Sequence, residues 1–192
     1  MTTIPTPNPT PNVPKEAYAV YCGDINQANG AKVVNQLTGA IAGKIEHVHL
    51  LFQTAGGYVG DGVFLYNFFR AVPIELTLYN AGQISSAGVV AYLGAKGRKT
   101  TPSGTFMLHR STNSPQFATA TKLAHVAKSL VLDDQRTETI VREHIKFPSE
   151  LWDALTHHDV YVSGGEAVKF GIAQEIGEFA PPAGMQVFNL LA

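Results

Sequence analysis

The chain has 192 residues, a formal net charge of −1 and an apolar fraction of 45%, enough for one domain with a substantial core. Near-neutral charge gives no electrostatic footprint for nucleic acid or an anionic membrane, and no apolar run approaches the ~20 residues of a membrane span. Charged residues make up only 15% of the chain, against about 25% in an average soluble domain, which suggests that part of the surface is buried against other subunits.

Residues 1–14 carry five prolines among Thr and Asn. Proline fixes φ and removes a donor, so 1–16 is expected to be a disordered Pro-rich tail. Residues 17–22 alternate and are β-prone, giving a first strand. Residues 26–42 set Ala31, Val34, Leu37 and Ile41 at helical spacing, and Gly43 is expected to cap that helix. A second strand at 47–53 and a sharp loop at 54–57 lead to an apolar helix over 59–72, ended by Pro73. Residues 74–79 form a third strand. The succession β-α-β-α-β-α at short spacing argues for parallel strands with helical crossovers.

The stretch 80–93 reads N-A-G-Q-I-S-S-A-G-V-V-A-Y-L, a turn running into a buried small-residue helix. Two short strands are expected near 98–100 and 105–109, joined by Pro102-Ser103-Gly104. Residues 118–145 form a long helix with Leu123, Val126, Leu130, Val131, Ile140 and Val141 as its apolar positions. A helix of that length projecting from a small domain needs a partner to cover its apolar stripe. A short helix from Ser149 to Leu155, a strand at 160–162 and a capping box at Ser163-Gly164-Gly165-Glu166 follow. The boxed helix ends at Gly171. Residues 172–176 return to extended chain, and 181–192 reads as a tail of uncertain order. A single domain is therefore expected over 17–180.

Cys22 is the only cysteine, so no intrachain disulfide and no Cys-rich zinc site can form. A charged segment followed by an apolar one is absent from the N-terminus, and a cytoplasmic location is expected.

Three polar stations stand out against the apolar scaffold. Ser85-Ser86 lie at the strand-to-helix turn, His109 at the end of F-M-L-H, and Asp159 after His157-His158. A serine hydroxyl is a poor nucleophile unless a base takes its proton. A histidine can be that base, and a carboxylate behind it fixes the tautomer. Acyl transfer also needs donors for the oxyanion, and the Ala87 N–H and the Gly56-Gly57 backbone are candidates. Spacing alone leaves bland readings open: Ser86 as a helix cap, His109 as a core histidine, Asp159 as a surface carboxylate, Gly56-Gly57 as a plain tight turn. The G-x-S-x-G elbow is absent around Ser86. His157, His158 and Asp159 crowd one short segment and do not read as a metal site, so neither metal nor cofactor is expected. His47, His49, His125 and His144 read as ordinary strand or helix residues.

Five ordered blocks carry a resemblance. They are F-Q-T-A-G-G-Y-V-G-D-G, G-Q-I-S-S-A-G, A-K-G-R-K, F-M-L-H and H-D-V-Y-V-S-G-G-E-A-V-K-F-G-I. Together they resemble the proteolytic subunit of the Clp protease, whose pattern is S-P-G-G, G-x-A-A-S-M-G, A-K-G-x-R, V-M-I-H and R-D-x-x-x-(S/T)-x-x-E-A-x-x-Y-G-(L/I). The resemblance implies an α/β fold, the ClpP/crotonase-type spiral of βαβ units, with 118–145 as a projecting handle helix. It implies a serine endopeptidase with Ser86 as nucleophile, His109 as base, Asp159 as third member, and Gly57 and Ala87 as oxyanion-hole donors. It also implies a homo-oligomeric ring, or two stacked heptamers, that encloses a chamber for peptides or unfolded proteins and is fed by a Clp-type unfoldase ATPase. Alternatives are a non-catalytic ring subunit and a crotonase-like enzyme acting on acyl-thioesters. A Ser-Lys peptidase would need a lysine in a matched block near Ser86.

The chain departs from the pattern in four places. Only the Pro-rich tail precedes the first strand, where the family has a helix and axial loops. His157-His158 replaces an Asp-Arg pair, exchanging an ion pair for groups that titrate near neutrality, so pH-sensitive assembly is expected. Ser111 to Gln116 replaces the glycines after the histidine, and Ala87 replaces a methionine.

Overall fold

The computed structural model describes residues 15–192; the stretch 1–14, most of the expected tail, lies outside the described residues. The chain runs β1 (Glu16–Cys22), α1 (Gln27–Ala42), β2 (His47–Gln53), α2 (Val59–Ala71), β3 (Glu75–Asn80), β4 (Gln83–Ser85), α3 (Ala87–Leu93) and β5 (Gly97–Thr100). It continues with β6 (Thr105–Leu108), α4 (Ala120–His144), α5 (Ser149–His157), β7 (Val160–Ser163), α6 (Gly164–Phe170), β8 (Glu175–Ile176) and β9 (Val187–Asn189). Six strands form one sheet in the order β8-β5-β3-β2-β1-β9, every pair parallel. Parallel neighbours need crossovers, which α1, α2 and α3 supply. The other three strands form a small sheet in which β6 runs parallel to β4 and antiparallel to β7.

Alternation along the strands sets the core. In β2, Val48, Leu50 and Phe52 are buried while His47, His49 and Leu51 on the other face are only partly covered. Phe52 stacks on Tyr21 of β1 with ring centroids 4.8 Å apart and meets Phe69 of α2 edge-on. Truncating Phe52 to alanine should cost about 3–5 kcal/mol by loss of transfer energy and cavity formation. Leu37, Leu65 and Leu78 close the same core. Parallel sheets are ordinarily covered on both faces. Here the helices pack on one face, and the face bearing Glu16, His47 and His49 stays partly open.

Several local expectations meet their cause in the structure. Asn26 caps α1, its side chain accepting from the Asn29 N–H at 2.9 Å. Ser163 and Glu166 form the capping box on α6, and Gly171 ends that helix at φ 83°. Thr119 caps α4, accepting from the Lys122 N–H. Within α4 only Ile140 and Val141 are buried, while Leu123, Val131 and Leu132 are about half exposed. The long helix therefore projects along most of its length.

Four expectations are corrected. Glu16, assigned to the tail, opens β1. Gly43 does cap α1, but in an ordinary conformation, and the left-handed residue is Lys44 at φ 59°. Gln83–Ser85, read as turn, is a strand because it pairs with β6. The stretch 181–192 is not merely a tail: β9 adds to the sheet edge beside β1, and Leu190 is buried in the core.

Candidate active site

Strand register brings the candidate residues together. Ser85 of β4 pairs with Met107 of β6, and the Ser86 N–H donates to the Met107 carbonyl at 2.7 Å. Two residues on from Met107, just past the end of β6, the chain reaches His109. Its Nε2 lies 2.8 Å from Ser86 Oγ, a contact made across 23 residues of sequence.

Ser86 occupies the N-cap position of α3, yet its side chain makes no cap hydrogen bond. Its φ of 56° and ψ of −128° lie in a region that favours glycine. A non-glycine residue held there is strained, and such strain concentrates at functional sites. Both observations count against the plain helix-cap reading. Ser85 behaves differently: it is buried, and its Oγ accepts from Gln83 Nε2 at 2.8 Å. Ser85 is thus the structural hydroxyl of the pair.

The glycine pair sits directly against this turn. The end of β2 continues toward β4 through Thr54, whose N–H donates to the Gln83 carbonyl while its own carbonyl accepts from the Ser85 N–H. Thr54 Oγ1 accepts from the Gly56 N–H at 3.0 Å. Gly56 has φ 101°, and a Cβ there would lie 2.7 Å from Ser86 Cβ. Gly57 has φ 150°, and a Cβ there would lie 2.1 Å from the Ile25 carbonyl oxygen. Neither position admits a side chain without displacing its neighbours. Among the described residues the N–H groups of Gly57 and Ala87 find no acceptor. Two free backbone donors beside a serine hydroxyl are what an oxyanion site requires.

A cleft opens at Ser86 and His109. Val90, Leu108, Val141 and Leu155 contribute apolar walls, with Arg110 and Glu138 among the polar groups. The C-terminal half of α4 fastens the chain beyond His109. Arg110 Nη1 donates to Glu138 Oε2 at 2.7 Å, and the Ser111 N–H donates to Asp134 Oδ1 at 2.7 Å. Glu138 also accepts from Arg142 Nε at 2.7 Å. Arg142 above all, and then Arg110, hold the Glu138 carboxyl below the usual carboxylate range.

Asp159 is near His109 but is not bonded to it. It lines a small recess with His109, Thr112, His157 and His158. Its side chain is exposed, and no hydrogen bond joins it to His109 among the described residues. Sequence reasoning did not single out Thr54, Gly88, Asp134 or Glu138. Thr54 could have been found as a hydroxyl two residues before a glycine, the spacing of a side-chain turn. A Cβ on Gly88 would lie 2.2 Å from Thr54 Cγ2, a close approach with no local signal. Asp134 and Glu138 were hidden among charges that read as the solvated side of a long helix.

Residues 9–179 match a protein family described as Clp protease. The chain belongs to the Clp protease family. It is similar to the ATP-dependent Clp protease proteolytic subunit 3 of Rhizobium etli, at 25% identity over 86% of each chain. The proteolytic subunit 2 of Pseudomonas aeruginosa is 23% identical over 80% of this chain and 77% of that one. Among solved structures, a mutant ClpP1 from Listeria monocytogenes superposes with a TM-score of 0.73 at 22% identity, covering 86% of this chain and 92% of the other. The fold is thus the α/β ClpP/crotonase type that the sequence blocks imply. Among the described residues no helix is long and apolar enough to cross a membrane.

Proposed function

We propose that this Clp-family chain is a serine endopeptidase. The observation that carries the reading is the 2.8 Å contact between Ser86 Oγ and His109 Nε2 at a strained turn where the serine caps nothing. In the proposed reaction His109 Nε2 takes the Ser86 proton as Oγ attacks a peptide carbonyl. The Gly57 and Ala87 N–H groups donate hydrogen bonds to the developing oxyanion. His109 then returns the proton to the leaving amine. A water, deprotonated by the same imidazole, attacks the acyl-enzyme carbonyl; the bond to Ser86 Oγ breaks, His109 returns the proton to Oγ, and the carboxylic acid product leaves. Asp159 is the proposed third member, reaching His109 Nδ1 when its exposed carboxylate turns inward. Ser86→Ala and His109→Ala, assayed on fluorogenic peptides, should each lose hydrolysis by several orders of magnitude. Full activity in Ser86→Ala would remove the assignment.

A homo-oligomeric ring, or two stacked heptamers, is the proposed assembly. The exposed Leu123, Val131 and Leu132 on α4 support it, since an apolar stripe on a projecting helix calls for a covering partner. Peptides or unfolded proteins are the proposed substrates, with a Clp-type unfoldase ATPase as a partner and the cytoplasm as the location. The names of the relatives support the ATP link, and a single unpaired thiol at Cys22 fits a reducing compartment. Leu132→Asp should lower the particle mass in analytical ultracentrifugation.

A second reading, a non-catalytic ring subunit, draws on the lack of a hydrogen bond between Asp159 and His109 among the described residues. It predicts assembly without hydrolysis. The crotonase-like alternative would show coenzyme A binding instead.

A further inference from the structure

The partly open face of the main sheet carries a group that peptide hydrolysis does not use. Glu16 at the start of β1 lies in register with His47 at the start of β2. His49 is two residues further along β2 and so projects from the same face. One donor atom from each of the three residues falls within 4.8 Å of the others. Both imidazoles are held by hydroxyls on β3. His47 Nε2 lies 2.9 Å from Thr77 Oγ1, and His49 Nδ1 lies 2.8 Å from Tyr79 OH. The Tyr18 ring stacks on His49 at a centroid distance of 4.5 Å and an interplanar angle of 12°. The His49 ring is thereby locked, and its remaining nitrogen, Nε2, is buried without a hydrogen-bond partner among the described residues. It faces Glu16 Oε2 at 3.7 Å, too far for a hydrogen bond.

We propose that Glu16, His47 and His49 bind one divalent transition-metal ion of the Zn²⁺ class, clamping β1 to β2. Two imidazoles and one carboxylate are a zinc ligand set, and a water would complete a tetrahedral shell. The hydroxyls of Thr77 and Tyr79 act as the outer partners that fix the orientation of metal-ligating histidines. Ligand atoms around such an ion sit about 3.3 Å apart, given bonds of about 2.0–2.1 Å. The half-exposed Glu16 side chain can close the difference by rotation. The rival account is a loose ion pair between Glu16 and a protonated His49. That ion pair, at 3.7 Å, is too long for a hydrogen bond and leaves the buried His49 Nε2 without a partner among the described residues.

The test uses the untagged full-length chain, stripped of metal with a chelator. Zn²⁺ and Co²⁺ are titrated calorimetrically, with the Co²⁺ ligand-field bands read in parallel. The proposal expects one ion per chain. His47→Gln or His49→Gln should each weaken binding by at least a hundredfold, and Tyr79→Phe, which leaves all three donors in place, by about tenfold. A control changing His157 and His158 to Gln should bind as the parent does. Crystals grown with Zn²⁺ should show an anomalous peak between Glu16, His47 and His49, a readout that needs no variant to fold. Absence of binding, binding indifferent to His47→Gln and His49→Gln, or a peak located only elsewhere would each overturn the proposal.

Discussion

Replacing Ser86 by glycine should make the protein more stable than replacing it by alanine. Both variants lack the hydroxyl, so their difference isolates the Cβ at φ 56° and ψ −128°. Holding a non-glycine residue there costs about 1–3 kcal/mol. Glycine offsets part of the relief, because its unfolded chain is freer by about 0.5–1 kcal/mol. Losing one half-buried carbon removes a further fraction of about 0.8 kcal/mol. The net advantage of glycine over alanine is then about 1 kcal/mol, or about 2–4 °C in midpoint for a chain of this size. Urea unfolding of the two variants at one fixed protomer concentration would measure the gap. A glycine variant no more stable than the alanine variant would mean that the turn stores no strain, and the argument that stability is given up to position Ser86 would fail.

Gly57→Ala should lower kcat by at least about 10² with the secondary structure retained by circular dichroism, because its Cβ would meet the Ile25 carbonyl at 2.1 Å and displace a proposed oxyanion donor. Asp159→Asn should lower kcat by about 10²–10⁴ if the carboxylate orients His109; an unchanged pH–rate profile and unchanged kcat would leave Asp159 a surface residue. Stability should fall as the pH drops below about 6.5. Burial holds His49 and His144 below the ordinary histidine value of 6.5, so the unfolded chain binds more protons in that window and the contribution, full above 6.5, is lost as pH falls through the folded values. Urea midpoints at pH 7.5 and 5 should show the slope, and His144→Gln should flatten it.

Much of the fold could be read from local chemistry. The capping box at Ser163 and Glu166, the glycine at 171 and the alternation in β2 each state their own structure, because the interaction that forms the element lies within it. Elements made by distant pairing were harder to see. Gln83–Ser85 becomes a strand only through β6, and Val187–Asn189 only through β1. Both are three residues long, too short for periodicity to register. The same division runs through the candidate site. Ser86, His109 and the glycine pair carried the recognisable blocks, and the sheet register joins them. Asp159 follows the diverged His157-His158 pair, and its exposed carboxylate makes no hydrogen bond to His109 among the described residues. The ties of Arg110 to Glu138 and Ser111 to Asp134 depend on where α4 crosses the cleft, which no spacing in the sequence encodes.

The central claim is that Ser86 is activated by His109. Intact-mass spectrometry after treatment with a fluorophosphonate, on the parent chain and on Ser86→Ala and His109→Ala, tests it most directly. The account predicts one adduct per chain in the parent and none in either variant. An assembled, folded parent that takes no adduct, or a Ser86→Ala variant that still takes one, would contradict it.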